Sequence, residues 1–230
     1  MDHRYRQVGQ SVTLYCFTPA VSLATFLIEL LLTAYSWWKF RSTQFGKLIT
    51  LFILILGLFQ LAEFAVCKTG YPVAWARFGL AVIAFLPAMG LQAVAMVTKR
   101  NLWVPLSYLL ATLFAAVILF APHAVIVPHC LPNFIEFRIP LLLSFIYAVF
   151  YWGYVVFAML VLLHAMRRAK QPNPVIKWLL VAYAVSTVPT LLLHLVLPYT
   201  IAGHASVFCG FAILMAVVLV TKVLPSYATF

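Results

Sequence analysis

Two acidic residues of this chain lie where charge is costly. The sequence has 230 residues and four acidic ones, and Glu29 and Glu63 both fall inside long apolar runs. A central carboxylate costs about 3 kcal/mol on membrane-insertion scales, and an ionisable group inside a membrane usually marks a functional site. We therefore expect both side chains to point inward. Glu29, about 16 Å from the end of its run, should be protonated or hydrated.

Helical spacing predicts a polar seam on each of four segments. Residues three, four or seven apart share one helix face, and polar residues recur at such intervals in four runs. The seams are Thr18, Ser22, Thr25 and Glu29; Gln60, Glu63 and Cys67; Ser144, Tyr147, Tyr151 and Tyr154; and Tyr183, Thr187, Thr190 and His194. Hydroxyl groups of this kind also pack helices together, and the tyrosines suit an amphipathic packing face, so a structural role stays open.

We expect the seams to converge on one polar cavity, because polar groups facing lipid are costly. The predicted ligand-binding set is Glu29, Gln60, Glu63, Tyr147, Tyr151, Thr187, Thr190 and His194. The carboxylates would supply charge, and the tyrosines would supply a cation-π wall.

A metal centre is the sharpest chemical hypothesis for the outer end of the chain. Glu63, Cys67, His194 and His204 are ligand types that suit zinc or copper. Their spacing matches no metal-binding motif, so satisfied histidines and a structural disulfide are the alternative. Haem held by a histidine pair is a weaker cofactor hypothesis.

The four cysteines all map to one end of the predicted bundle. They are Cys16, Cys67, Cys130 and Cys209. In an oxidising compartment some of them would form disulfides. Four cysteines allow three pairings, and the sequence does not choose among them.

Composition indicates the elements that must position these residues. Hydrophobic residues make up 66% of the chain and charged residues 8%, against about 25% charged in soluble domains. A spanning helix needs about 20 apolar residues, and seven such runs occur. They cover residues 18–38, 48–67, 75–98, 102–121, 139–164, 175–197 and 206–224. The fold class predicted is an all-α polytopic membrane protein, a single seven-helix domain over residues 1–230.

Basic residues predict the orientation of the bundle. Ten of them fall on one side and five on the other when the spans alternate: Lys39, Arg41, Lys47, Lys99, Arg100, Arg167, Arg168, Lys170, Lys177 and Lys222 against Arg4, Arg6, Lys68, Arg77 and Arg138. The positive-inside rule then puts the N-terminus outside and the C-terminus inside. We expect a bacterial cytoplasmic (inner) membrane, with residues 122–138 roofing the outer mouth.

Several function classes conflict with the residues present. The basic residues are scattered over short loops, which does not suit nucleic-acid binding. A ceramidase-type zinc hydrolase needs an intramembrane aspartate, but the one aspartate is Asp2. A rhodopsin-type retinal protein needs a lysine in the middle of its last helix, whereas Lys222 lies at the inner end.

Three short motifs resemble an uncharacterised group of bacterial seven-helix membrane proteins. These are CFTPAVS at residues 16–22, FQLAEFAVC at 59–67 and RFGLAVIAFLP at 77–87. The resemblance covers the first three helices and implies that Cys16, Gln60 and Glu63 belong to the group's recurrent residues. It implies no catalytic activity.

The sequence therefore favours a receptor-like or accessory membrane protein that binds a small polar or cationic ligand, with a metal ion among the candidates. One alternative is a membrane-embedded enzyme that uses Glu63 as acid or base on a lipid-like or quinone-like substrate. Another is a proton-coupled transporter that uses Glu29. The expected partners are membrane lipids, the ligand and a second membrane protein.

Overall fold

The computed structural model describes residues 19–131, 134–168 and 173–229, and 83% of these residues are helical. The predicted first and second spans correspond to α1 (Pro19–Phe40) and α2 (Gln44–Lys68). Thr43 caps the start of α2, because its hydroxyl accepts a hydrogen bond from the backbone N–H of Gly46 at 2.9 Å.

The third predicted span is two helices, α3 (Pro72–Ile83) and α4 (Leu86–Thr98). Pro87 explains the break, since it has no N–H to donate and its ring would meet the carbonyl of the preceding turn. The two halves together still form one apolar stretch of 27 residues that is long enough to cross a membrane.

The next helix, α5 (Val104–Phe120), has 17 residues and is shorter than each of the apolar stretches that are long enough to cross a membrane. A connection that we call the strap, residues 121–140, follows it. The strap contains the antiparallel strands β1 (His129–Cys130) and β2 (Ile135–Glu136). Arg77 of α3 ties the start of the strap to the bundle by donating to the carbonyls of Leu119 and Ala121 at 2.7 and 3.1 Å.

The second half contains α6 (Leu141–Arg168) and α7 (Pro174–Val196), and α7 continues through Pro189. A 3₁₀ turn (Pro198–Gly203) leads into α8 (His204–Val218), then a π-helical turn (Leu219–Val223) and α9 (Leu224–Ala228). The π turn precedes Pro225, whose missing N–H is the usual reason for such a distortion.

Six of these helical stretches, within the described ranges, are long and apolar enough to cross a membrane. They are Pro19–Phe40, Gln44–Lys68, Pro72–Thr98, Leu141–Arg168, Pro174–Val196 and Pro198–Ala228. The chain is therefore an apolar helical bundle with the character of an integral membrane protein.

The second helix forms the centre of the bundle. It packs against α1, α3, α4 and α8, and its side chains Phe45, Ile53 and Phe59 are fully buried. The strap closes one end of the bundle, which we call the strap end. Most of the described lysines and arginines lie at the other end, the basic end.

Candidate functional site

The buried face of α1 is its polar face. Its buried residues are Ser22, Thr25, Glu29, Ser36 and Phe40, whereas Leu27, Ile28, Leu30 and Leu31 are exposed. A helix in water shows the opposite arrangement. The described residues of the polar seam predicted for this helix therefore face the bundle, and most of its apolar side chains face outward, as a lipid environment requires. Thr18, the first residue of that seam, lies outside the described residues.

Glu63 lies where α1, α2 and α8 meet. The Ser22 hydroxyl on α1 donates to Glu63 Oε2 at 3.4 Å, and the Ser206 hydroxyl on α8 interacts with the same carboxyl group. The second oxygen, Glu63 Oε1, is buried and has no hydrogen-bond partner among the described residues. The carboxyl group therefore has one oxygen still free to bind.

Glu29 is the second carboxyl group of this site. It packs against Gly57 of α2, where a Cβ would lie 3.5 Å from Glu29 Cβ and 3.7 Å from Glu29 Oε2. Glu29 is fully buried, and neither of its oxygens has a partner in the part of the chain that the structure describes. It lies close enough to Glu63 for the two carboxyl groups to interact electrostatically.

No described lysine or arginine balances this pair. The ion pairs within residues 19–131, 134–168 and 173–229 involve Glu136 of the strap, which contacts Arg138 at 3.0 Å and His129 at 3.9 Å. Burying an ionised carboxylate alone is far costlier than burying a neutral or compensated one. The pair therefore needs protons or a bound cation.

Other polar side chains are buried in the interior of the bundle. Cys209 of α8 lies near both carboxyl groups and near Tyr147 and Tyr151 of α6. The Gln60 side-chain nitrogen and the Thr187 hydroxyl are buried without partners in the described chain. Thr190 instead donates to the Ser186 carbonyl at 2.8 Å, which is a packing role.

A chain of hydrogen bonds runs between the histidines at the strap end. The Trp152 indole N–H donates to His204 Nε2 at 3.0 Å. His204 Nδ1 lies 2.6 Å from His194 Nε2, and His194 Nδ1 lies 2.8 Å from Thr200 Oγ1. Thr200 in turn donates to the Leu197 carbonyl at 2.7 Å.

The indole sets the direction of the whole chain. An indole N–H only donates, so His204 Nε2 must accept and His204 carries its hydrogen on Nδ1. His194 Nε2 then accepts, and His194 Nδ1 donates to the threonine. Both rings are neutral in this arrangement, and every bond in the chain has one donor and one acceptor.

The strap reaches the carboxyl site through the hydroxyl group of Ser206. The backbone N–H of Ile135 lies 3.5 Å from Ser206 Oγ, and Ser206 interacts with Glu63. The Phe134 ring fills the space above Gly203, where any side chain would collide with it. Cys67 and Cys130 form a disulfide that fixes the strap to the end of α2.

The disulfide changes the metal hypothesis. Cys67 is bonded to Cys130 and has no thiolate to offer, while His194 and His204 bond each other. Among the described residues, no group of three or more His, Cys, Asp or Glu side chains could hold a metal ion. The set Glu63, Cys67, His194 and His204 is therefore not assembled. Cys209 is a free, buried thiol, and Cys16 lies outside the described residues.

The predicted ligand-binding residues lie in the interior, but they do not line an open cavity. Glu29, Gln60, Glu63, Tyr151, Thr187 and Thr190 are buried, and Tyr147 and His194 are half-buried. Grooves of about 460 and 420 Å³ lie elsewhere among the described residues, and they are lined by other side chains, mainly of α6. A ligand that reaches the carboxyl groups therefore needs the strap or the neighbouring helices to move.

Some residues of the site were not predicted from the sequence. Ser206 precedes Cys209 by three positions, and this helical spacing could have predicted a polar face on α8. Trp152 and Thr200 left no such signal, because an isolated tryptophan or threonine in an apolar run is ordinary. Comparisons of the chain with protein-family models, with curated proteins and with solved structures give no match.

Proposed function

We propose that this chain is a receptor-like or accessory membrane protein that binds a small cation between α1, α2 and α8. The observation that carries the proposal is the pair Glu29 and Glu63. Both are buried, they interact with each other, and three of their four oxygens have no partner among the described residues. A bound cation would satisfy those oxygens and compensate their charge at once.

The donor atoms favour a hard cation or a small ammonium ion. The groups around the site are carboxyl oxygens and the hydroxyls of Ser22 and Ser206, and hard cations prefer oxygen ligands. Zinc and copper prefer nitrogen and sulfur, and Cys67 is held in a disulfide. We therefore favour sodium, calcium or a methylammonium-like ligand over the soft metals.

We infer that the protein spans the bacterial inner membrane seven times, with the N-terminus outside. The short helix α5 would be the fourth span, and its apolar character supports this count. The ten-to-five division of basic residues supports the orientation. A disulfide at the strap end supports an oxidising compartment on that side, such as the periplasm.

A thermal-shift titration of the purified protein in detergent tests the binding proposal. The probes are the chlorides of sodium, calcium and methylammonium. A ligand at a hundred times its Kd stabilises the native state by about 2.7 kcal/mol, which corresponds to a rise in Tm of about 5 to 10 °C for a chain of this size. We expect at least one probe to produce such a rise.

The control variants separate the site from general salt effects. Glu29→Gln/Glu63→Gln keeps the side-chain shapes and removes both charges, so the rise should vanish. Glu136→Gln removes the strap carboxyl group, which has a cationic partner, and the rise should persist. A chain stabilised by none of the probes, or a rise that survives in the double variant, would refute the proposal.

A second candidate function is proton-coupled transport, and the histidine chain favours it. Polar groups continue from Glu63 through Ser206 toward His204, His194 and Thr200 at the strap end. In this function Glu29 would be the protonation site. If the chain is a proton-coupled transporter, the variant Glu29→Gln should abolish proton uptake by reconstituted vesicles. The cation probes should then stabilise neither the native chain nor the variant.

The remaining predictions have less support. A membrane enzyme with Glu63 as acid or base would need substrate access, and Glu63 is 1% exposed. The resemblance to the bacterial seven-helix group stays a prediction, as do haem binding and a protein partner.

A further inference from the structure

Two grooves follow the same side of α6. The groove nearer the middle lies between α5 and α6 and is lined by apolar and aromatic residues, among them Leu110, Phe114, Val149, Gly153 and Phe157. The groove nearer the basic end continues from Phe157 to Arg167. Phe157 lines both, so the two grooves adjoin along α6, and we call the pair the α6 trough.

The packing of the helices explains why the α6 trough is open. The main contacts of α6 are with α4 and α7, and those of α5 are with α3 and α4. The helices α5 and α6 touch through rings, with the Phe114 ring centroid 4.7 Å from that of Phe150. Toward the basic end, side chains of α6 such as Leu160 stay 57% exposed.

The basic end of the trough carries positive charge. Arg100, which follows α4, and Arg167 of α6 both line it, together with His164. Both arginines are exposed, and neither has an ion pair or hydrogen bond of its side chain within the described residues. Two unpaired guanidinium groups therefore flank the mouth of an apolar channel.

The dimensions of the trough match one leaflet of a bilayer. Phe157 and Arg167 are ten positions apart on one helix, which is about 15 Å, and this is half of the roughly 30 Å hydrocarbon core. An arginine pair at this distance from mid-membrane would lie at the level of lipid headgroups. Basic pockets between helices at that level are typical sites for anionic lipid headgroups.

We propose that the α6 trough binds one anionic phospholipid. Its phosphate lies between Arg100 and Arg167, and one acyl chain runs along Leu160 and Phe157 toward Gly153. Arginine suits this role because its fork of N–H donors binds phosphate oxygens in pairs. This site is separate from the carboxyl pair, and it does not depend on the function proposed above.

Native mass spectrometry of the delipidated protein tests the headgroup half of the proposal. The titrants are dioleoylphosphatidylglycerol and dioleoylphosphatidylcholine, and we expect the anionic lipid to bind preferentially. Arg100→Gln/Arg167→Gln should weaken the binding of phosphatidylglycerol about thirtyfold, since each cationic contact contributes about fivefold to the affinity. The matched control Arg41→Gln/Lys47→Gln removes the same charge from exposed positions at the same end, and the affinity should not change.

Gly153 tests the acyl-chain half. A Cβ at this position meets nothing within 4 Å, so a larger side chain fits and the variants should fold. Gly153→Leu should obstruct the chain and lower the affinity for phosphatidylglycerol, whereas Gly153→Ala should leave it nearly unchanged.

Four results would overturn the proposal. The two lipids could bind equally, or both charge-removing double variants could lose affinity to the same extent, which would indicate general surface attraction. Inorganic phosphate could bind the protein as tightly as the lipid does. Gly153→Leu could break a dimer without affecting lipid affinity, which would assign the trough to a second copy of the chain.

Discussion

Two serines on different helices interact with one carboxyl group, and this arrangement defines the site. Ser22 of α1 and Ser206 of α8 both approach Glu63 of α2. Each hydroxyl can donate one hydrogen bond, and the Ser22 hydroxyl uses Glu63 Oε2, while Glu63 Oε1 has no hydrogen-bond partner among the described residues. Neither oxygen of Glu29 has a donor in the described ranges, so the stability of its carboxyl group depends on a proton or a bound cation.

The histidine chain gives a prediction at the residue scale. Trp152→Phe keeps an aromatic ring but removes the N–H that donates to His204 Nε2. The loss of a partner for a half-buried nitrogen should lower the free energy of unfolding by about 1–2 kcal/mol. Unfolding in mixed detergent micelles measures this change.

Trp103→Phe is the matched control, because Trp103 is 74% exposed. This variant should change the free energy of unfolding by less than about 0.5 kcal/mol. Nitrogen NMR of the native protein should find the hydrogen of His204 on Nδ1. A hydrogen on Nε2 of His204, or an equal loss of stability in the two tryptophan variants, would contradict the directions assigned to these hydrogen bonds.

At this scale the sequence predicted which polar residues are buried better than which of them are in contact. Helical spacing identified the seams of Glu29 and Glu63, because an apolar background makes polar positions conspicuous. It could not predict the contact of His194 with His204, since that contact depends on the 3₁₀ turn between them. Nor could it select Cys67 and Cys130 from the three possible pairings, because the choice depends on where the strap folds back.

At the scale of elements, prolines determine where the helices depart from regularity. The pattern of apolar runs predicted the helices to within a few residues, for example 175–197 against Pro174–Val196. It predicted one helix where α3 and α4 are separate, since hydropathy does not register the break before Pro87. Pro189, by contrast, lies inside α7, which is continuous there.

A close contact between α4 and α7 gives a prediction at the element scale. Gly90 has no side chain, and a Cβ there would collide with the Tyr183 hydroxyl. Gly90→Ala should therefore lower the free energy of unfolding by about 1–3 kcal/mol through overpacking. Gly153→Ala, in open space on α6, should instead be neutral or stabilising by up to about 1 kcal/mol.

Removing the Tyr183 hydroxyl group should reduce the destabilisation that Gly90→Ala causes. Without the oxygen of Tyr183, the nearest atom to the new methyl group is Cζ at 3.4 Å, which is ordinary contact. Gly90→Ala should then lower the free energy of unfolding clearly less in the Tyr183→Phe background than in the native chain. An equal cost in both backgrounds would show that the helices do not approach as described.

At the scale of the whole molecule, the disulfide joins the strap to the centre of the bundle. It links Cys67 at the end of α2 to Cys130 in β1, across 63 positions of sequence. Closing a loop of that length should stabilise the native state by about 4 kcal/mol in the chain-entropy description. Reduction with dithiothreitol should lower the free energy of unfolding by a comparable amount.

The variant Cys130→Ser is the control for reduction, because it has no bond to lose at this position. Dithiothreitol should leave its stability unchanged. If reduction does not destabilise the native chain, or destabilises Cys130→Ser equally, the strap is not anchored through these cysteines.

The central claim is that Glu29 and Glu63 act together on one bound cation. Titration calorimetry of the native chain, both single glutamine variants and the double variant measures it, with the cation that gives the largest thermal shift. If the carboxyl groups share one ion, each single variant should lose most of the affinity and the double variant should lose little more, a strongly non-additive result. Losses that simply add, or binding that persists without either carboxyl group, would contradict the account.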